Sequence, residues 1–189
     1  YQSSTLVMQQ PRTLLAFLLL WAAGNALSCA WQGRPLRERD HLACEVIVAW
    51  NQLLLQLDRY TPGYRPPVSA RMYAYMGIAA YQAALPGCPD YNSLGDRWEG
   101  LPTTKLPTWQ HGDFDLSAAV NSAYAEMARH FFPTAPAEWK DKIETLAKRC
   151  HEKIASTVSE DVLFQSEAYG QTVAKAVWQW SATDAVGHD

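Results

Sequence analysis

The side chains of this chain that could ligate a metal, move a proton or grip an anion are few and widely spaced. Five histidines fall at positions 41, 111, 130, 151 and 188. His41, His130 and His151 lie among charged residues at the edges of predicted helices, a setting that reads as solvated surface. His111, between Gln110 and Gly112, carries no motif. Asp184, His188 and Asp189 form the tightest grouping, since an oxygen ligand and an imidazole four residues apart share a helix face and can meet one metal. Gly187 interrupts that geometry, and a helix-terminating turn is the plainer reading. These three residues are weak metal candidates, and the residues indicate no other metal and no cofactor. Arg71, on a helix of small residues, could face an anion. Packing beside Tyr73 and Tyr75, or pairing with an acidic residue of another helix, is the plainer reading. Tyr60, Tyr64, Tyr73, Tyr75 and Tyr81 either line an aromatic pocket or sit in the core with their hydroxyls tied to loop carbonyls.

Nucleophilic chemistry has less support still. No Gly-x-Ser-x-Gly turn occurs, so a serine hydrolase of that type is not indicated. Of the four cysteines, Cys44 and Cys150 fall on helix faces as small apolar residues. One disulfide and one free thiol among Cys44, Cys88 and Cys150 is the alternative. No Cys-x-x-Cys spacing points to zinc. With 16 Lys and Arg against 19 Asp and Glu, and no basic run, nucleic acid is not an expected partner.

The elements that must position these residues are all helical. The 189 residues, 48% of them hydrophobic, suffice for one core. Five apolar stripes of helical period predict a bundle of about five helices. The first spans residues 40–57, with Asp40 as N-cap and Leu42, Val46, Trp50, Leu53, Leu54 and Leu57 on one face. The second spans 68–85, after prolines 62, 66 and 67 that hold the chain out of the α region until about Val68. Residues 87–113, rich in Gly, Pro, Asp and Asn, predict one long ordered loop, because Trp98 and Trp109 favour a strap lying over helices. The third helix begins near Asp115 and ends at Pro133. The fourth starts with Pro136 in its first turn, and Ser159 caps the fifth. Gly170 inside the fifth helix costs about 1 kcal/mol against Ala, which close contact with a neighbouring helix would offset.

The N-terminus reads as an export signal of residues 1–28, with the start most simply at Met8. Arg12 gives the positive flank, Leu14–Ala23 the apolar stretch, and Ala26-Leu27-Ser28-Cys29 a small-residue site. Ten apolar residues are too few to span a bilayer, which takes roughly 20. Cys29 stands where a bacterial lipobox places its lipidated thiol, although Ala26 replaces the usual leucine. Ordinary secretion and a retained signal anchor are the alternatives. In each case the body lies outside the cytoplasm, periplasmic or at the cell surface.

One run points to a family. Tyr60–Tyr81, YTPGYRPPVSARMYAYMGIAAY, resembles the early segment of bacterial lipoproteins related to the vanadium-dependent haloperoxidases and type 2 phosphatidic acid phosphatases. The resemblance extends more loosely to Val46–Leu57 and to SEAYGQTVAKAVWQWSATDAVGHD at Ser166–Asp189, so that only the two ends of the matching region are specific. It implies an anion cage built from Lys-x(6)-Arg-Pro, Pro-Ser-Gly-His and Ser-Arg-x(5)-His-x(3)-Asp, which would neutralise vanadate or a transferring phosphoryl group. None of these motifs is in this chain: Arg34-Pro35 and Arg65-Pro66 lack the upstream lysine, and Val186 precedes Gly187-His188. No catalytic residue carries over.

The resemblance therefore implies residues 29–189 as the N-terminal helical domain of a longer exported enzyme, truncated before its catalytic half. That half would be its partner and vanadate the parent's cofactor, and a lipid anchor would hold it at the membrane. An apolar face awaiting the missing half would also favour homo-oligomers. A complete, non-enzymatic surface lipoprotein that binds a ligand through exposed aromatics is the rival expectation.

Overall fold

The computed structural model describes residues 38–96, 106–110 and 112–183, and among them it contains five α-helices and no strand. The helices are α1 (Glu38–Tyr60), α2 (Pro66–Ala84), α3 (Leu116–Phe131), α4 (Ala137–Ala155) and α5 (Glu160–Ser181), with short 3-10 turns at Leu85–Gly87 and Leu94–Asp96. The expected all-α bundle is the observed one. The export signal of residues 1–28, Cys29, Trp31, Trp98, His111, Asp184, His188 and Asp189 lie outside the described residues.

The helix termini follow from local chemistry, with three departures from the sequence expectation. Helix α1 begins at Glu38, so Asp40 lies inside its first turn instead of capping it; Glu38 and Arg39 are good helix formers that extend it upstream. Helix α2 begins at Pro66, earlier than Val68, because the missing N–H of a first-turn proline would have had no intrahelical partner. Pro136 sits at the N-cap of α4: its ψ of 150° is extended, and its carbonyl accepts from the amides of Trp139 and Lys140. Ser159 caps α5 as expected, accepting from the amide of Val162 at 3.4 Å. Between α1 and α2, Pro62 and Gly63 make the tight turn, and Gly63 holds a φ of 95° that few other residues adopt.

Helix α3 is the hub, packing against each of the other four. Its sequence LSAAVNSAYAEMARHF is buried on nearly every side, and its alanines let neighbouring backbones approach. The closest approach is by α5, whose buried stripe is Ser166, Gly170, Val173, Ala174 and Val177. A Cβ placed on Gly170 would lie 2.1 Å from the carbonyl oxygen of Ala119, so the expected close contact exists and hydrogen is the only side chain it admits. Ser122 Oγ donates to the Glu167 carbonyl at 2.8 Å across the same seam.

Polar groups inside the bundle are paired where α3 meets its neighbours. Trp50 Nε1 donates to Asn121 Oδ1 at 2.8 Å, and Asn121 Nδ2 donates to the Ala147 carbonyl at 3.1 Å, joining α1, α3 and α4 through one amide. Asp115, buried at the N-cap of α3, accepts from the Ala118 amide at 2.8 Å, and its own amide donates to Ser166 Oγ at 3.0 Å.

Burial raises the phenol pKa of Tyr64, Tyr124 and Tyr169; Asp58 adds to the rise at Tyr64, and the Asn51 hydrogen bond opposes it at Tyr124. The folded state therefore keeps protons that the unfolded chain begins to lose near its ordinary value of about 10. The stability these phenols confer is complete below that pH and declines as pH rises through the raised values. A lower urea midpoint at about pH 11 than at about pH 9 is the expected result; equal midpoints would contradict the burial of these rings.

Candidate functional site

The Tyr60–Tyr81 run folds into the turn after α1 and most of α2, and its side chains sort onto two sides. Met72, Tyr75, Met76, Ile78, Ala79 and Ala83 face the core. Pro67, Val68, Ala70, Ala74 and Gly77 are exposed, with Tyr73 and Tyr81 half-buried beside them. Residues 67, 70, 74, 77, 81 and 84 are spaced alternately three and four apart, the register of a helix–helix seam.

This outer face is uncharged. Arg71 is the single charged residue of α2, and it is turned inward, donating from Nη2 to the Ser181 carbonyl of α5 at 2.5 Å with its guanidinium 5.0 Å from the Tyr75 ring centroid. Packing beside Tyr75 is as expected, but the hydrogen-bond acceptor is a helix-terminal carbonyl, one of the orphan acceptors that every helix end presents. Gly77 sits mid-helix with nothing within 4 Å of where its Cβ would stand. Unlike Gly170, it has no neighbour in the bundle to explain it.

Two of the run's tyrosines, Tyr64 and Tyr81, tie their hydroxyls to loop or helix-end carbonyls as expected, whereas the buried Tyr73 hydroxyl has no hydrogen-bond partner among the described residues. Tyr64 donates to the Phe131 carbonyl and stacks on Phe132 with ring centroids 4.7 Å apart, while Tyr81 donates to the Asn92 carbonyl at 2.8 Å. Tyr75 is buried edge-on against Trp180, and Tyr60 is half-exposed over Trp139. Their contacts are spread over α3, α4, α5 and the loop after α2. Ser69 Oγ donates to Asp58 Oδ1 at 2.5 Å, closing the turn between α1 and α2.

The remaining candidates divide. His41 is exposed, as expected of solvated surface. His130 and His151 are half-exposed and also engaged: the His130 ring stacks on Trp178 at 4.8 Å with Nε2 3.3 Å from Glu126, and His151 Nδ1 lies 2.6 Å from Glu167 Oε1. Both partners lie across a helix turn or on another helix, out of reach of a linear reading. Cys150 is buried, and burial raises its thiol pKa, whereas Cys44, also on a helix face, is exposed. α1 turns Ala43 and Val46 inward, leaving position 44 outside the stripe. Cys44, Cys88 and Cys150 are free thiols. No group of three or more potential metal ligands occurs among the described residues.

Residues 87–113 are described in part. Trp109 packs edge-on against Phe114 at 4.8 Å and Tyr169 at 5.6 Å, and Gln82 and Ser93 hydrogen-bond across their start. None of the described tryptophans is exposed. The residues missed in sequence are Asn121, Ser122, Asp115 and Ser166, polar groups in the middle of the packing. Only the Ser166-x-x-x-Gly170 spacing signalled them, as small residues on one helix face.

Compared with protein-family models, with curated proteins and with solved structures, the chain matches none of them.

Proposed function

We propose that this bundle is the non-catalytic helical half of an exported haloperoxidase-like or acid-phosphatase-like protein, and that the outer face of α2 is the surface on which the catalytic half packs. The observation that carries the reading is the seam of Pro67, Ala70, Ala74, Gly77 and Tyr81. It is uncharged, has the register of a helix–helix contact, and includes a glycine with open space above it. A mid-helix glycine costs about 1 kcal/mol against alanine, and close approach by a second helix supplies the reason for keeping it. The resemblance of Tyr60–Tyr81 supports the same partner.

In this reading residues 1–28 direct export, Cys29 carries the lipid anchor, residues 87–113 form an ordered strap, and vanadate or phosphate binds in the other half alone. The test has two arms. The purified 189-residue chain should neither hydrolyse a phosphomonoester nor oxidise bromide with peroxide and vanadate. Activity above a boiled control would overturn the reading. In a gene product that includes the catalytic half, Ala74→Arg should lower turnover at least about tenfold while changing the stability of the 189-residue chain by no more than about 0.5 kcal/mol. Unchanged turnover would remove α2 as the docking face.

A further inference from the structure

α1 and α4 build a surface that contributes nothing to the α2 seam. Val48, Gln52, Leu55 and Arg59 stand three or four residues apart on the exposed side of α1, with Val48 54% and Leu55 62% exposed. Beside them, α1 and α4 border an open groove of about 350 Å³. Its polar lining is Gln52, Gln56, Lys142, Thr145 and Arg149, with no carboxylate, and the buried Leu53 and Leu146 complete it. One exposed aliphatic residue is ordinary on a protein surface. Two in one stripe next to a cationic groove are not.

The cations of this surface differ from others on the bundle. Arg129, Lys148, Lys153 and Lys175 pair with carboxylates. Arg59, Lys142 and Arg149 are exposed and form no ion pair among the described residues. Arg59 and Lys142 lie over the rings of Tyr60 and Trp139, 5.6 and 3.4 Å from the centroids, and those rings stack 4.9 Å apart. Glu45, toward the other end of α1, is taken by Lys153. In a chain of net charge −3, the surface is a local excess of positive charge.

We propose that this α1–α4 surface rests on an anionic bilayer, with Val48 and Leu55 among the headgroups and Arg59, Lys142 and Arg149 against lipid phosphates. Aliphatic residues flanked by unpaired cations and a half-exposed tyrosine suit the membrane interface, where long cationic side chains lie along apolar surface and keep their charge on the headgroups. No helix among the described residues is long and apolar enough to cross a membrane, so the contact is peripheral. Charge selects the occupant: a second copy of the same surface would set cations against cations, whereas anionic lipid attracts each of them. The proposal rests on the lipid-anchored reading above. Cys29 precedes Glu38 by only nine residues, at most about 30 Å of extended chain, so an anchored thiol holds α1 close to the bilayer.

Vesicle partitioning tests it. The 189-residue chain carrying Cys29→Ser, which cannot be lipidated there, is shared between phosphatidylcholine vesicles and vesicles that also contain phosphatidylglycerol. Residues 1–37 are common to every form compared, so their contribution cancels. The anionic vesicles should be favoured at least about tenfold. Lys142→Gln with Arg149→Gln should cut that preference about fivefold, and Leu55→Ser should weaken binding to the anionic vesicles about threefold. Lys148→Gln with Lys175→Gln removes the same charge elsewhere and should leave the preference unchanged. No preference, a preference that survives the changes to this surface, or an equal loss in the control pair overturns the proposal. So does displacement by inorganic phosphate beyond that by chloride at equal ionic strength, which would assign the groove to a soluble anion. The intact mass of the exported chain reports the Cys29 lipid separately, so a missing anchor and a failed surface give different results.

Discussion

Replacing Gly170 by alanine is expected to destabilise the bundle by about 3 kcal/mol, measured as the fall in unfolding free energy from a urea titration. The added methyl would stand 2.1 Å from the Ala119 carbonyl oxygen, 2.8 Å from its carbon and 2.9 Å from its Cα, all backbone atoms of the hub helix that no rotamer change can move aside. Helix propensity pulls the other way, since Gly→Ala inside a helix ordinarily gains about 1 kcal/mol. The sign of the change is therefore diagnostic. Stabilisation would mean that α5 does not approach α3 as described. Gly77→Ala is the internal control, because open space there leaves only the propensity gain of about 1 kcal/mol.

The second large effect belongs to Asn121. Asn121→Ala is expected to cost about 2 kcal/mol, because it strands the indole N–H of Trp50, which is fully buried, while the Ala147 carbonyl keeps its place in the α4 backbone ladder and loses only a second donor. The loss of packing beside the Trp50–Tyr124 stack, whose ring centroids lie 5.9 Å apart, adds to it. A double-mutant cycle with Trp50→Phe separates the contributions. A coupling on the order of 1 to 2 kcal/mol is expected from the shared hydrogen bond, and additive single effects would show that the bond contributes nothing measurable.

These two sites differ in how far each could be read in the linear chain. Gly170 was legible as a close contact because glycine inside a strong helical stripe has a known cost and few reasons to persist. Its partner Ala119 was not legible, since one alanine among several on α3 carries no mark. Asn121 gave no signal at all. A polar residue inside an apolar helix reads as a flaw in the stripe until its acceptors and donors on α1 and α4 are known, and those lie 71 and 26 residues away. The charged residues show the same division. His130 and His151 look solvated in sequence because their neighbours along the chain are charged. In the fold their rings meet Trp178 and Glu167 from α5.

By itself the sequence determined which segments are helical, though not each terminus, because a period of 3.6 and proline stops are local physics, acting within one or two turns of the residue concerned. It also determined which face of each helix is apolar, and the absence of the anion-cage motifs from the residues present. Tertiary structure alone decided that α3 would be the hub, that Arg71 would turn inward to a helix end, and that residues 67, 70, 74 and 77 of α2 would be exposed. The reason is physical. Amphipathic helices state how much surface must be buried but not against which neighbour. That choice follows from which small residues permit two backbones to approach and which buried polar groups then find partners.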